Sequence, residues 1–414
     1  MFLRRVLAGA SWRGAAQYLA ILGEAFGWLT PTPPWTTGRL WRLRLGHFML
    51  TVAKERGDDW AWLSDHAVRS GPRKCLALLG LPLSELPAPG QALTATDVAL
   101  RTLVPGAAWT KEEVDQQLEI VATKIGSPRA IARDHGAEGA GGVRLVQERH
   151  PETVDLYDTK HKAACVLKRL LGKDARWQEF PQKVGQTRWA LQQTERAYLL
   201  PPRPQLKARF MNLGATLPWA NKIVAILQEP PAMVRQTVTP ERLREKLGWV
   251  LSFAAAVAEG GEWQALVDAV VGFVSRHGIY RGGAKAVRAV VPPPPSPSPH
   301  ASSVRWRAEL LVFLVQQARG LQPGERVPGS TELLESLFGH MKQLEKQQAR
   351  GGFTTLLLAF GARLAETTAS TIKQALEHSP TKRVYEWCKE HLGTTVFGQR
   401  KLAFAAAQQK PDEG

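Results

Sequence analysis

The stretch from residue 60 to residue 160 constrains the fold most, because short apolar runs alternate there with helical patterns. Five of the runs have strand character: residues 61–65, 74–81, 99–104, 129–133 and 153–157. Between the third and the fourth run, the capping box Thr110-Lys-Glu-Glu113 opens a helix that Gly126 closes. A shorter helical pattern, residues 141–149, separates the fourth run from the fifth. The predicted element order is therefore β-β-β-α-β-α-β.

This order resembles that of an RNase H-like core, a mixed α/β sheet flanked by helices in which the first and fourth strands are adjacent. Asp65 ends the first predicted strand and Asp134 ends the fourth. The sequence therefore predicts that these two carboxylates lie side by side. The stretch lacks the last helix of such a core, which supplies a third carboxylate.

Glu335 is the candidate for that third carboxylate. It lies on a predicted amphipathic helix that begins after Gly329-Ser-Thr-Glu332, with Lys342 two turns further on. Glu332, one turn earlier, is the alternative ligand. A strand-end aspartate is also commonly a cap or turn residue, and Asp158 after the fifth strand is interpreted in that way.

Two strand-end aspartates and a helical glutamate can together hold two divalent cations. Such a pair of cations clamps the attacking and the leaving oxygen of a phosphodiester. Mg²⁺ suits three acids in an open groove because it keeps several waters and binds substrate oxygens, and Mn²⁺ can replace it. The hypothesis from these residues is phosphodiester chemistry at Asp65, Asp134 and Glu335.

The charge of the chain indicates a polyanionic partner. The sequence has 54 Lys and Arg against 37 Asp and Glu, a formal net charge of +17. This excess favours nucleic acid or an acidic membrane face, and we expect no membrane partner because no long, charge-free apolar stretch occurs. Three widely spaced cysteines without a CxxC pair indicate reduced thiols and a cytoplasmic protein.

The first 55 residues predict a helix, a turn-rich break and a second, basic helix. Thr36 and Thr37 are candidate N-caps of that second helix, which is expected to run to about residue 53. This is the helix-turn-helix pattern, and the alternative is a packed basic helical hairpin. Three arginines of the second helix are candidate DNA contacts: Arg39, Arg42 and Arg44.

Changes in composition divide the chain into five predicted regions. They are a helical DNA-binding region (1–55), the first part of the core (56–160), an all-helical insertion (161–325), the core completion with the Glu335 helix (326–397) and a tail of low order (398–414). A Pro-rich linker, residues 291–300, lies in the insertion.

Several other functions are not indicated. The sequence has no GxxxxGK[ST] motif and no dinucleotide fingerprint. His66, His135 and His161 match no common zinc spacing, so structural or phosphate-contacting roles are favoured for them.

Together these residues resemble bacterial insertion-sequence transposases of the DDE superfamily. Glu335 and Lys342 reproduce the family's spacing of a Glu, six residues and a Lys, and Glu335-Ser-Leu-Phe338 reproduces its Glu-x-x-Phe. Asp65 and Asp134 fall where the family places its two aspartates. Pro328 and Thr331 stand where the family has a Tyr and an Arg.

The resemblance implies cut-and-paste transposition in the bacterial cytoplasm, at the nucleoid. Asp65, Asp134 and Glu335 would hold two Mg²⁺ ions that activate water to nick a transposon end, and the freed 3′-hydroxyl would attack target DNA. Lys342 would contact a phosphate, and a homodimer would form on paired double-stranded ends. Two alternatives stay open: a catalytically silent DNA-binding remnant or repressor, and an RNase H-like nuclease without strand transfer.

Overall fold

The chain divides into two compact units, the second of which is inserted into the first. In this computed structural model, the described residues are 2–7, 10–27, 31–70, 73–106, 108–134, 136–203, 213–293, 301–346, 356–393 and 396–408. The first unit comprises residues 1–156 and 331–414, and the second comprises residues 157–330. None of the helices in these ranges is long and apolar enough to cross a membrane.

A five-stranded mixed sheet is the centre of the first unit. Its strands are β1 (Trp60–Ser70), β2 (Arg73–Pro82), β3 (Ala99–Gly106), β4 (Pro128–Arg133) and β5 (Val154–Tyr157). The order in the sheet is β3-β2-β1-β4-β5. β2 pairs antiparallel with both β1 and β3, whereas β4 pairs parallel with β1. The predicted α/β class and the predicted adjacency of the first and fourth strands are confirmed.

Two helices cover one face of this sheet: α4 (Lys111–Ile125) and α5 (Ala137–Arg149). The predicted capping box is present, because the Thr110 hydroxyl accepts from the Glu113 amide at 3.2 Å and the Glu113 carboxylate accepts from the Thr110 amide at 2.9 Å. Trp62, Leu118 and Ile131 are fully buried between the sheet and these helices. Burial of this apolar surface is the main force that holds the two layers together.

The remaining helices of the first unit come from both ends of the chain. They are α1 (Phe2–Leu7), α2 (Trp12–Phe26), α3 (Trp35–Thr51), α15 (Glu332–Lys346), α16 (Leu356–Leu364), α17 (Ala369–His378), α18 (Thr381–Leu392) and α19 (Val396–Gln408). α3 packs on α16, α17 and α18, and α15 contacts β1. The N-terminal helices and the C-terminal helices therefore share one core.

Two features of these helices differ from the predictions. α3 begins at Trp35 with Pro34 as its N-cap and no side-chain cap bond, so Thr36 and Thr37 lie inside the first turn rather than capping it. The predicted tail from residue 398 is helical as far as Gln408, because its alanines have high helix propensity. The sequence also predicts that Gly351-Gly352 breaks the Glu335 helix, and these residues lie outside the described ones.

The second unit is mainly helical, in line with the sequence. Its helices are α6 (Thr159–Leu171), α7 (Ala175–Leu191), α8 (Leu213–Gln228), α9 (Ala232–Thr237), α10 (Pro240–Leu247), α11 (Trp249–Ser252), α12 (Ala254–His277), α13 (Gly283–Val290) and α14 (Ala301–Gln317). Two short strands, β6 (Ile279–Tyr280) and β7 (Arg326–Val327), pair antiparallel in this unit. The sequence did not predict them. Residues 294–300 of the predicted Pro-rich linker lie outside the described residues.

We predict that Thr110→Ala destabilises the first unit by about 1 kcal/mol, because the change removes the side-chain acceptor of the capping box. The free energy of unfolding, measured by urea titration, checks this. Gln116→Ala is the control: Gln116 is exposed on the same helix, and we expect a change within about 0.5 kcal/mol for it. Equal losses for the two variants would contradict the role of the cap.

Candidate active site

Asp65 and Asp134 occupy neighbouring positions on adjacent parallel strands. The recorded pairing of β1 with β4 ends with Ser64 opposite Arg133. The same register, continued by one residue, brings Asp65 opposite Asp134, and neighbouring strands lie about 5 Å apart. The sheet thus brings two carboxylates together that are far apart in the sequence.

Both aspartates belong to the sheet face that turns away from α4 and α5. Trp62 of β1 and Ile131 of β4 pack in the apolar cluster with those helices. Because side chains alternate along a strand, Asp65 and Asp134, each three residues further on, lie on the opposite face. The two acids therefore share one face of the sheet, at the point where the recorded pairing of β1 with β4 ends. Asp65 does not end its strand as predicted, because β1 continues to Ser70.

Asp65 is held inside a distorted strand. It pairs with Ala77 of β2, and the register of that pairing shifts between Asp65 and Val68. One carboxylate oxygen of Asp65 accepts from the His66 amide at 2.6 Å. The side chain is only 7% exposed, so its orientation is set by the protein rather than by solvent.

Asp134 begins the turn that leads from β4 to α5. Its Oδ1 accepts from the Gly136 amide at 3.0 Å, which is an Asx turn. The preceding Arg133 donates to the Asp134 carbonyl oxygen at 2.9 Å and forms an ion pair with Asp155 of β5 at 2.5 Å. The strand end and the carboxylate on it are thus fixed from two sides.

Glu335 and Lys342 lie along one edge of α15. The buried face of this helix consists of Leu334, Leu337, Phe338 and Met341. Successive residues of a helix are rotated by about 100° about its axis, which places Glu335 and Lys342 on the same side of that buried face. The two residues lie about 10 Å apart along the helix axis. Glu332 lies further round toward the outer face. Helical geometry therefore favours Glu335 over Glu332 as the acid at the edge of the core.

The acids fit part of what a divalent metal requires. Mg²⁺ is commonly held by one or two carboxylates, with waters and substrate oxygens in the other positions. The Asp65–Asp134 pair supplies such carboxylates. However, the described residues contain no group of three or more His, Cys, Asp or Glu side chains that could hold a metal ion. In this arrangement Glu335 does not complete a three-acid set.

Three side chains near the acid pair were not assigned to the site from the sequence: His66, Trp109 and Glu138. Burial lowers the pKa of His66, and Lys74 lowers it further, whereas the carboxylates of Asp134 and Glu138 raise it. The His66 ring lies 5.5 Å from the Trp109 ring. Two features of the sequence could have indicated these residues. His66 directly follows Asp65, and Glu138 lies in the first turn of the helix after Asp134.

The three candidate arginines of α3 have different surroundings. Arg42 is 2% exposed, with its guanidinium over the Trp12 ring at 4.4 Å, and burial lowers its pKa to about 10. Arg44 donates to the carbonyl oxygens of Leu376 and Ser379 at the end of α17. Arg39 is exposed. The prediction that Arg42 and Arg44 contact DNA does not agree with these packed positions.

The other polar residues singled out in the sequence do not join the acid pair. Asp158 is the N-cap of α6 and accepts from the His161 amide at 2.7 Å, which agrees with its interpretation as a structural residue. His135 lies outside the described residues. Lys342 is exposed.

Comparisons with known proteins give weak structural likeness and no match in sequence. No protein-family model matches the chain, and no curated protein matches it. Among solved structures, one chain of the "Drosophila P element transposase strand transfer complex" is similar over 90% of this chain and 92% of its own length, with 9% identity and a TM-score of 0.42. A likeness of this size says nothing of what the chain binds or catalyses.

Proposed function

We propose that the chain is a metal-dependent enzyme that cleaves phosphodiester bonds of DNA, of the transposase type. The observation that supports this most is the pairing of Ser64 with Arg133 in parallel register, which sets Asp65 beside Asp134 on one face of the sheet. Paired carboxylates, here a buried Asp65 and a half-buried Asp134, are what an enzyme of this class needs to bind Mg²⁺.

In this proposal each residue has a defined task. Asp65 and Asp134 hold divalent cations, and the hydrogen bonds from the His66 and Gly136 amides keep their carboxylates in place. Bound Mg²⁺ or Mn²⁺ would activate the attacking oxygen and stabilise the leaving oxygen of the phosphodiester. Glu335 is the proposed third ligand, which approaches the pair when DNA is bound, and Lys342 contacts a phosphate.

The finer assignments are also proposals. Cleavage at transposon ends, transfer of the 3′-hydroxyl to target DNA and a homodimer on paired ends are what the resemblance to DDE transposases implies. That resemblance rests on the spacing of Glu335 and Lys342 and on the positions of the two aspartates. The net charge of +17 supports DNA as the substrate. Among the α3 arginines, the exposed Arg39 is the one retained as a DNA contact.

A catalytically silent DNA-binding remnant or repressor is the second candidate. The observation that favours it is the lack of a three-acid group among the described residues. A nuclease without strand transfer is a third, and it would cut DNA without preference for particular end sequences.

A cleavage assay on labelled duplex DNA that carries the element's own ends separates these candidates. We expect nicking with Mg²⁺ or Mn²⁺ and none after the metal is removed with EDTA, because the carboxylates alone cannot activate water for this reaction. Nicking without end preference or strand transfer would assign the nuclease. Binding without cleavage under either metal would assign the silent remnant.

A further inference from the structure

Most of the positive charge lies in the second unit. Residues 157–330 contain 25 Lys and Arg against 12 Asp and Glu, a net charge of +13. The first unit contains the other 29 Lys and Arg and 25 Asp and Glu, a net charge of +4. The unit that lacks the candidate acids is therefore the strongly basic one.

Many cations of the second unit are neutralised by a nearby carboxylate. Examples are the pairs Arg169–Glu309, Arg176–Asp174, Lys183–Glu179, Arg196–Glu195 and Lys246–Glu245. Such pairs leave little net field at the surface that carries them.

One row of cations differs from these pairs. Arg281 lies in the turn just before α13, and Lys285 and Arg288 lie on α13; all three are exposed. No Asp or Glu occurs between residue 269 and residue 308. Within the described ranges, none of the three forms an ion pair with a carboxylate. We call these three residues the α13 cation row.

Two further arginines lie at the ends of the row: Arg307 on α14 and Arg319 in the turn after α14. α13 contacts α14, and Arg281 donates to the Arg319 carbonyl oxygen at 3.4 Å, so Arg319 lies beside the first member of the row. At the other end, Arg307 lies near Arg288: its pKa is lowered first by burial and then by the charge of Arg288. Glu262 lines a pocket together with Arg307, whereas Arg281, Lys285 and Arg288 have no recorded carboxylate partner among the described residues. Like charges repel one another, and an anionic ligand relieves that repulsion.

We propose that the α13 cation row binds the phosphate backbone of duplex DNA. Lys285 and Arg288 lie about 4.5 Å apart along the α13 axis, and Arg281 precedes the helix. Phosphates of one DNA strand follow one another at about 3.4 Å along the duplex axis, so neighbouring cations of the row suit successive phosphates of one strand. The choice of duplex DNA rather than another polyanion rests on the proposed function of the first unit.

The row supplies charge but no means of reading sequence. Val287, the neighbour of Arg288, is buried, and Gly283 and Ala284 carry no polar side chain. Binding here is therefore independent of sequence and strongly dependent on salt.

The test uses the full chain with a fluorescent duplex of arbitrary sequence, in EDTA, over a series of salt concentrations. The row variant carries three changes: Arg281→Gln, Lys285→Gln and Arg288→Gln. We expect it to bind the duplex about 10- to 100-fold more weakly than the wild type. We also expect the slope of its log affinity against log salt to be smaller in magnitude by about 2 to 3. Circular dichroism and thermal unfolding show whether the variant is folded.

The matched control removes the same charge from paired cations of the same unit: Arg169→Gln, Lys183→Gln and Lys246→Gln. We expect less than about a threefold loss of affinity for it, since these cations already have carboxylate partners. Equal losses in the two variants, or an unchanged salt slope in the row variant, would overturn the proposal. Stronger binding of the wild type to polyglutamate than to DNA would assign the row to an acidic protein instead.

Because the assay contains no divalent metal, its result is separate from the cleavage proposal. A chain that binds DNA through the row but never cuts it would refute the enzyme and retain the row. If the wild type cuts DNA and the row variant loses no affinity, the enzyme proposal is retained and the row proposal is refuted.

Discussion

Asp134→Asn is expected to reduce metal-dependent DNA cleavage by at least about 10³-fold, while DNA binding and folding are retained. In the proposed mechanism, the metals that these carboxylates would hold would supply several kcal/mol of transition-state stabilisation, and about 4 kcal/mol corresponds to that factor. The amide oxygen of Asn can still accept from the Gly136 amide, so the turn is preserved while the charge is lost. Single-turnover nicking of a labelled duplex, together with a binding measurement on the same DNA, checks this result.

The same assay applied to the other acids tests the whole proposed set. Asp65→Asn is expected to match Asp134→Asn, because the two carboxylates occupy equivalent positions. Glu335→Gln and Glu332→Gln form a matched pair one turn apart on α15, and we expect a large loss for the first and less than about a threefold loss for the second. Full activity of Asp134→Asn would remove the catalytic assignment. A loss with Glu332→Gln alone would make Glu332 the third ligand.

Gly46→Ala is expected to destabilise the first unit by more than about 3 kcal/mol or to prevent it from folding. A Cβ at Gly46 would lie 1.6 Å from the carbonyl oxygen of Leu358 on α16. A main-chain atom cannot move aside as a side-chain end can, so α3 and α16 would have to separate, and overpacking costs of this kind reach the upper end of the usual range. Urea unfolding followed by tryptophan fluorescence measures the change.

Gly339→Ala is the control for this change. Gly339 also lies in a helix of the first unit, but a Cβ there would meet no atom within 4 Å. An alanine at an open helical position is expected to stabilise the fold by about 0.5–1 kcal/mol. If Gly46→Ala and Gly339→Ala changed the free energy of unfolding by the same amount, the assignment of close packing between α3 and α16 would be contradicted.

The sheet could be predicted because its signals are local. Each strand is a short apolar run, and the helix between β3 and β4 is marked at both ends, by Thr110 and by Gly126. The order of these elements then leaves few topologies open. The adjacency of Asp65 and Asp134 follows from that order, which is why this part of the candidate site could be found from the sequence.

The surroundings of α3 could not be predicted in this way. Arg42 and Arg44 look like surface cations in the sequence, but one lies over Trp12 and the other binds carbonyl oxygens at the end of α17. Those partners belong to other helices, and the sequence around Arg42 and Arg44 does not indicate them. Whether Glu335 joins the two aspartates could not be predicted for the same reason, because it depends on how α15 packs rather than on its own sequence.

The division of the first unit between the two ends of the chain sets a time scale for its synthesis. α3 ends at Thr51, whereas its partner α16 begins at Leu356. At about 5–20 residues per second, roughly 15 to 60 seconds pass before the ribosome has made the surface that α3 packs against. The second unit, a continuous segment from residue 157 to residue 330, is complete before then. During synthesis, the basic helical unit is therefore complete while the apolar face of α3 still lacks its partner helix. Whatever shields that face during this interval determines how much protein reaches the folded state.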